Sequence, residues 1–252
     1  MSLFLLGIVG IGSIGLNLIS RYWQTQQLKQ VKQAREQLEQ GQYISAIATY
    51  DKILKTDFAQ PEILWANRGY AYLGLGQYQS ALQSCSKATD IEPEVALAWN
   101  CQGEAQFHLG HQNAAFKAFQ MAIATEPNNA TFKLNQSQIL QEQGQHDQAL
   151  KLNQKAISLL ESQQSNSESI LALAFKRQGQ SWLELDNNNQ ALTAFNQSLV
   201  NDPEDLFAQQ GKAIALYRLG KYSQAIKTIN QILLRQDLTP EQEATSWLYK
   251  AI

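Results

Sequence analysis

The sequence predicts an all-α fold built as a one-dimensional array of helix pairs. One observation is a period of 34 residues, in which Trp65 is followed by Trp99, and Gly76 by Gly110 and Gly144. Another is the content of each period, namely two apolar stretches with helical spacing separated by a glycine. Because one helix pair cannot bury its apolar face alone, we expect neighbouring pairs to stack into a superhelix with a concave face.

Each element of the period has its own local signal. The position at which a helix closes with a left-handed residue is held by Gly76, Gly110, Gly144 and Gly220. The second helix ends before Pro93, because proline disfavours helix for the residue that precedes it. Recurring alanines and glycines mark close approaches of helix backbones, and large side chains are expected to fill the spaces between the helices: Trp65, Trp99, Phe119 and Phe195.

The residues that carry the period resemble the tetratricopeptide repeat family. The best copy runs through Trp65, Gly69, Tyr72, Gly76, Ala81, Ala88 and Pro93. The resemblance implies a right-handed superhelical array of about six helix hairpins, in which the first helix of each hairpin lines the concave groove. The repeats are placed at residues 27–61, 62–95, 96–129, 130–163, 172–205 and 206–239.

Three segments fall outside the repeats, and they complete the predicted domain organisation. It consists of a transmembrane anchor at 1–23, repeats 1 to 4 at 24–163, a polar insertion at 164–171, repeats 5 and 6 at 172–239, and a capping helix at 240–252. The polar stretch 162–169 is either a longer second helix followed by a mobile loop, or a hinge or contact loop between two sub-arrays. Thr239 and Pro240 have the cap and first-turn chemistry of a helix start.

The N-terminal stretch 3–19 carries no charge. A helix of this length reaches roughly 25 Å, close to the thickness of a hydrocarbon core. Arg21, Tyr22 and Trp23 follow it, as an interfacial anchor would. The prediction is a single-pass membrane protein whose repeats lie on the cytoplasmic side, since the basic residues follow the span. The alternatives are a helix that caps the first repeat and a cleaved signal peptide.

Chemical motifs are weak throughout. Gly10, Gly12 and Gly15 match a dinucleotide-binding fingerprint, but the helical repeats that follow supply no parallel sheet. Cys85 and Cys101 lack metal-ligand spacing, so we expect neither zinc nor a disulfide, and a reducing compartment. The turn histidines are expected to be solvated: His108, His111 and His146. We therefore predict no cofactor, no metal site, no small-molecule substrate and no enzymatic activity.

The predicted function is protein binding on the concave face. The net charge of -2 and pI of about 5.9 argue against nucleic acid. The family's groove offsets assign the binding residues Asn67, Tyr70, Asn100, Glu104, Phe107, Asn135, Gln138, Lys176, Arg177, Gln180, Gln210 and Tyr217. Amide, aromatic and charged groups on one surface suit an extended peptide or a helix laid along it.

The whole chain thus reads as a membrane-anchored adaptor that recruits or orients a protein partner. Its architecture is similar to that of anchored repeat proteins that serve as assembly factors for bacterial and cyanobacterial membrane complexes. The alternative is a permanent structural subunit of an envelope or secretion complex.

The anchor prediction is tested by extraction. Because residues 3–19 are uncharged, the full-length protein should stay in the membrane pellet after high-salt and carbonate washes. Deletion of residues 1–23 should release it as a soluble helical protein. Recovery of the full-length protein in the carbonate supernatant would show that the segment is not an anchor.

Overall fold

The computed structural model describes residues 25–56, 58–162, 167–235, 238–240 and 242–243, and these residues are almost wholly helical. Residues 25–39 lie in helix α1. The helices that follow are α2 Tyr43–Ile53, α3 Pro61–Gly74, α4 Tyr78–Ile91, α5 Ala96–His108, α6 Gln112–Thr125, α7 Ala130–Glu142, α8 His146–Ser162, α9 Glu168–Glu184, α10 Asn188–Asn201, α11 Leu206–Arg218 and α12 Tyr222–Leu233. The described part of the chain contains no strand, which confirms the all-α prediction.

The chain divides into two compact units, residues 1–125 and 126–252. In the first unit, α3 packs on α4 and α5 on α6, while α4 also packs on α5 of the next pair. In the second unit, α7 packs on α8, α9 on α10 and α11 on α12, and the pairs join through α8 with α9 and α10 with α11. Each unit is therefore a stack of helix hairpins in which every second helix contacts the first helix of the following pair.

The turn inside each hairpin is closed by a residue in the left-handed region. Five glycines have φ between 70° and 79°: Gly41, Gly76, Gly110, Gly144 and Gly220. At Gly76 the backbone N–H bonds the Leu73 carbonyl at 2.9 Å, and the N–H of Gln77 bonds the Tyr72 carbonyl at 2.9 Å. These two bonds satisfy carbonyls that the helix end leaves open. In the fifth repeat Asp186 takes the same position, with φ 57°.

Hairpins are held together where a first-helix glycine meets a second-helix aromatic ring. Phe119 is 2% exposed and fills the space above Gly103. Phe195 is fully buried, and a Cβ added at Gly179 would lie 2.9 Å from three atoms of its ring. Gly211 of the next hairpin faces the same ring from the other side. Only a residue without a side chain lets the two helices approach this closely.

Two hairpins replace the glycine–aromatic pair with other chemistry. In the fourth repeat Ser137 donates its hydroxyl to Asn153 Oδ1 at 2.6 Å, with both residues fully buried. In the second repeat Cys85 stands at the aromatic position above Gly69 and forms a disulfide with Cys101 of α5. The prediction of unbonded cysteines was therefore wrong. The stacking of α4 on α5 brings the two Cα atoms to 5.9 Å, within bridging range, although the cysteines lie 16 residues apart in sequence.

The predicted spacer aromatics fall into two groups. Phe119 and Phe195 are buried as expected, whereas Trp65 and Trp99 are half-buried. In three repeats the side chain at the fourth position instead donates a hydrogen bond to the backbone carbonyl of the proline six residues earlier. The bonds run from Trp99 Nε1 to the Pro93 carbonyl at 2.8 Å, from Lys133 Nζ to the Pro127 carbonyl, and from Gln209 Nε2 to the Pro203 carbonyl at 2.7 Å.

Several predicted boundaries can be compared with the structure. The anchor at 1–23 lies outside the described residues, and no helix of the described ranges is long and apolar enough to span a bilayer. Residues 168–171, which the sequence places in the polar insertion, form the first turn of α9. Thr239 does start a helix, because its hydroxyl accepts the Gln242 N–H at 3.3 Å and Gln242 Oε1 accepts the Thr239 N–H at 2.9 Å. Residue 241 and residues 244–252 of the predicted capping helix lie outside the described residues.

The close approach of α5 and α6 can be tested by adding one methyl group. Alanine is favoured over glycine in a helix by about 0.5–1 kcal/mol, yet Gly103→Ala drives its Cβ into the Phe119 ring. We expect a net loss of about 1–3 kcal/mol in the free energy of unfolding, measured by chemical denaturation. Combining it with Phe119→Leu should cost less than the sum of the two single losses. Wild-type or higher stability for Gly103→Ala would contradict this packing.

Candidate functional site

The first helices of successive hairpins contact each other and share one side of each unit. In the first unit α3 contacts α5, and in the second α7 contacts α9 and α9 contacts α11. We call the side chains that these helices present away from the second helices the first-helix face of each unit. The residues predicted to bind a partner lie on these five helices.

In the first unit the predicted residues bond mainly to one another. Asn100 Nδ2 donates to the Tyr70 hydroxyl at 2.7 Å and to Glu104 Oε1 at 2.6 Å. The Tyr70 hydroxyl donates to the Leu97 carbonyl at 3.3 Å. Asn100 is only 2% exposed. The network therefore ties α3 to α5, and these side chains serve the fold as well as the surface.

Burial raises the pKa of the Tyr70 hydroxyl far above its ordinary value, and the nearby Glu104 carboxylate adds to the rise. The hydrogen bond from Asn100 acts in the opposite direction. Tyr70 therefore stays a neutral donor and acceptor throughout the physiological range. Its ring is half-buried, so part of it still faces the surface.

The other two predicted residues of the first unit differ in exposure. Asn67 is buried at 9% exposure, whereas Phe107 is half-buried. Phe107 packs edge-on against His108, with ring centroids 5.5 Å apart, and His108 stacks on Tyr78 at 4.4 Å. His111 Nδ1 lies 2.7 Å from Gln106 Oε1. His108 and His111 thus have partners within the protein, and the described residues contain no cluster that could hold a metal.

In the second unit α7 and α9 flank a cleft of about 550 Å³. Four predicted residues line it: Gln138, Lys176, Arg177 and Gln180. Arg177 donates from Nη1 to the Leu134 carbonyl and from Nη2 to Gln138 Oε1 at 2.5 Å. These bonds join α9 to α7, so part of the hydrogen-bonding capacity of the guanidinium stabilises the fold.

Lys176 stabilises the fold in a similar way. Its ammonium pairs with Asp205 at 2.5 Å and lies 5.8 Å from the centre of the Phe207 ring. The Asp205 carboxylate is only 11% exposed and also accepts the Ala208 N–H at 2.9 Å, capping α11. A pair this sheltered sets the position of α11 relative to α9.

The remaining predicted residues span a range of exposure. Asn135 is half-buried, Gln210 is buried, and Gln180 and Tyr217 are exposed. The prediction omitted Phe207, which is 60% exposed at the start of α11. Phe207 and Tyr217 lie ten residues apart on one helix, which places them about 80° apart around the helix axis. The offset of Phe207 within the repeat matches that of Leu173, which lines the cleft, and this equivalence could have identified it.

Comparison with known proteins agrees with this geometry. Residues 63–95 and residues 176–243 match models described as tetratricopeptide repeat. These two stretches of the chain are similar to tetratricopeptide repeats. The chain's helix hairpins, left-handed turn residues and contacting first helices are the features expected of them.

Individual relatives cover parts of the chain or share only its fold. The chain is 30% identical over 91 residues to the small glutamine-rich tetratricopeptide repeat-containing protein 2 of Mycosarcoma maydis, which is 36% of this chain and 26% of that protein. The crystal structure of PilW, described as a widely conserved type IV pilus biogenesis factor, superposes with a TM-score of 0.74 at 20% identity, over 87% of this chain and 97% of PilW. A tetratricopeptide repeat protein from Parabacteroides merdae gives a TM-score of 0.67 at 15% identity, over 89% and 86% of the two chains. At such identities the structural likeness shows the fold.

Two tyrosines of the first unit, of which Tyr70 is half-buried and Tyr50 fully buried, provide a matched test of the hydroxyl network. Tyr70→Phe removes a hydroxyl with two partners and should lower the free energy of unfolding by about 1–2 kcal/mol at neutral pH. Tyr50→Phe should cost little or stabilise, since the Tyr50 hydroxyl has no hydrogen-bond partner within the described residues. Urea denaturation of both variants checks the difference. Equal losses would show that the network contributes nothing.

The raised pKa values of the same tyrosines predict that the stability of the protein falls at alkaline pH. Burial raises the pKa of Tyr50 to about 12, and that of Tyr70 is raised as well. Above about pH 10 the unfolded chain releases these phenolic protons while the folded chain retains them. Their contribution to stability is therefore complete below pH 10 and is lost as the pH rises. Melting followed from pH 8 to 11 should show a shallower decline for Tyr70→Phe than for wild type, and parallel curves would contradict the assignment.

Proposed function

We propose that this chain is a membrane-tethered adaptor that holds a protein partner on its first-helix faces. Tetratricopeptide repeats mediate protein–protein interaction, and their fold typically serves as a non-enzymatic scaffold. The finer statement, that a partner is recruited or oriented at a membrane, is our proposal.

The observation that carries the proposal is the exposed aromatic side of α11. Phe207 is 60% exposed and Tyr217 is 38% exposed. Exposed aromatic side chains often contribute a large share of the binding energy for a partner. Next to them, the cleft beside α9 offers amide and charged groups. This combination supports an extended or helical peptide as the ligand, with aromatic anchors and polar groups that set its register.

The membrane and assembly parts of the proposal have separate support. The uncharged stretch 3–19 and the aromatic and basic residues after it favour a tether, with the repeats on the cytoplasmic side. The structural likeness to PilW, a type IV pilus biogenesis factor, together with the similarity in architecture to anchored bacterial and cyanobacterial assembly factors, favours a role in assembling a membrane complex.

The binding face is tested by capture from detergent-solubilised membranes of the source cell. The bait is the full-length protein, and captured proteins are quantified by mass spectrometry for wild type and for Phe207→Ala with Tyr217→Ala. Truncation of an aromatic anchor costs about 2 kcal/mol or more. The principal partner should therefore be captured roughly 30-fold less efficiently.

The matched control is Val200→Ala, which alters an apolar side chain that is 76% exposed on the second helix α10. It should capture the partner as wild type does. Undiminished capture by the α11 variant would refute this face. A partner that remains at fixed stoichiometry through every wash, together with insolubility of residues 24–252 expressed alone, would favour the alternative of a permanent structural subunit.

A further inference from the structure

The disulfide between Cys85 and Cys101 occupies the position of an aromatic side chain. In the second unit Phe195 fills the gap between Gly179 and Gly211. The equivalent offsets in the first unit hold Gly69, Cys85 and Cys101. A Cβ at Gly69 would overlap the sulfur of Cys85 and lie 2.7 Å from that of Cys101. The two sulfurs thus fill the space that a ring fills elsewhere.

Both cysteines are fully buried. No large side chain occupies this position in the second repeat, so the covalent bond supplies the contact between α4 and α5 that ring packing supplies between α10 and α11. Two separate thiols need more room than a bonded pair, because unbonded sulfur atoms cannot approach to the disulfide distance of about 2.0 Å. The backbone of Gly69 leaves no such room without movement of a helix.

The residues next to this bond belong to the first-helix face. Tyr70 directly follows Gly69 on α3, and Asn100 directly precedes Cys101 on α5. The hydrogen bond between Asn100 Nδ2 and the Tyr70 hydroxyl, 2.7 Å long, therefore joins α5, which carries Cys101, to α3, whose Gly69 lies against both sulfurs. An increase in the spacing of α3 and α5 weakens this bond, since a hydrogen bond weakens steeply beyond its normal range.

We infer that the Cys85–Cys101 disulfide is a redox latch that holds the first-helix face of the first unit in its binding geometry. With the bond formed, Tyr70, Asn100 and Glu104 are locked together. When a dithiol reduces it, the bond between the sulfurs breaks and two thiols form with two electrons and two protons from the reductant, which itself closes to a disulfide. The functional meaning of the latch rests on the proposed function, whereas the latch itself does not.

The compartment decides which state prevails. Disulfides persist in oxidising compartments, and those found in the cytosol are usually transient and redox-sensing. On the proposed cytoplasmic side the latch responds to oxidation, and on the opposite side it stays closed. Alkylation of thiols in intact cells, followed by mass spectrometry of the peptides that carry Cys85 and Cys101, reads the state directly.

The test uses the full-length protein in detergent, with and without dithiothreitol. Alkylation under denaturing conditions should label neither cysteine before reduction and both afterwards. Reduction should lower the melting temperature of the first unit by about 10 °C. Hydrogen exchange at the amides of α3 and α5 should accelerate on the order of tenfold. The helices of the second unit, which hold no cysteine, serve as the internal control.

Two variants separate the latch from a general effect of reductant. In the double variant Cys85→Ser with Cys101→Ser, the amides of α3 and α5 should exchange as fast as in the reduced wild type under all conditions. Cys85→Phe with Cys101→Gly recreates the packing of the second unit and should exchange slowly with or without dithiothreitol.

Complete alkylation of both cysteines before reduction overturns the inference. So does reduction that breaks the bond and leaves exchange in α3 and α5 unchanged. Undiminished capture by the α11 variant would refute the binding face of the proposed function and leave these outcomes as they are.

Discussion

The close approach of helix backbones at the first-helix glycine is the constraint on which the rest of the structure depends. Gly103 and Gly179 let an aromatic ring from the second helix lie directly on the first. With the ring in place, the second helix is near enough to contact the first helix of the next hairpin as well, as Phe195 does at Gly211. Within each unit the stack turns the first helices to one side, and that side is the candidate binding face of the unit.

The sequence was sufficient for the helices and turns because their causes are local. A glycine with positive φ closes the turn at Gly76, Gly110, Gly144 and Gly220, as predicted. The left-handed conformation of Asp186 was not predicted. Aspartate takes this conformation less often than glycine, so an aspartate in the sequence does not by itself indicate a turn of this kind. The disulfide was not predicted because only the spacing of the two cysteines along the sequence was considered. Yet Cys85 and Cys101 have the same separation of 16 residues as Phe195 and Gly211, and this repeat-specific contact could have identified them.

The sequence could assign the candidate residues to first helices but could not predict their exposure. The offsets assign Tyr70, Asn100 and Arg177 to first helices, and in the structure they lie on α3, α5 and α9. The offsets do not reveal that the Asn100 amide donates hydrogen bonds to Tyr70 and Glu104. They also do not reveal that Arg177 donates a hydrogen bond to the Leu134 carbonyl. Such bonds depend on rotamers and on inter-helix distances that only packing determines. Phe207 was overlooked for the converse reason, since a large apolar side chain in a period resembles a core residue until its exposure is known.

The central claim is that a partner lies on the first helices and not on the second. Site-specific photo-crosslinking tests it most directly, with a photoreactive residue placed at Gln180 of α9 or at Gln197 of α10, both of which are exposed. Irradiation in the source cell should give a covalent adduct between the partner and the probe at Gln180, and none from the probe at Gln197. Adducts from Gln197 alone, or equally from both positions, would contradict the account.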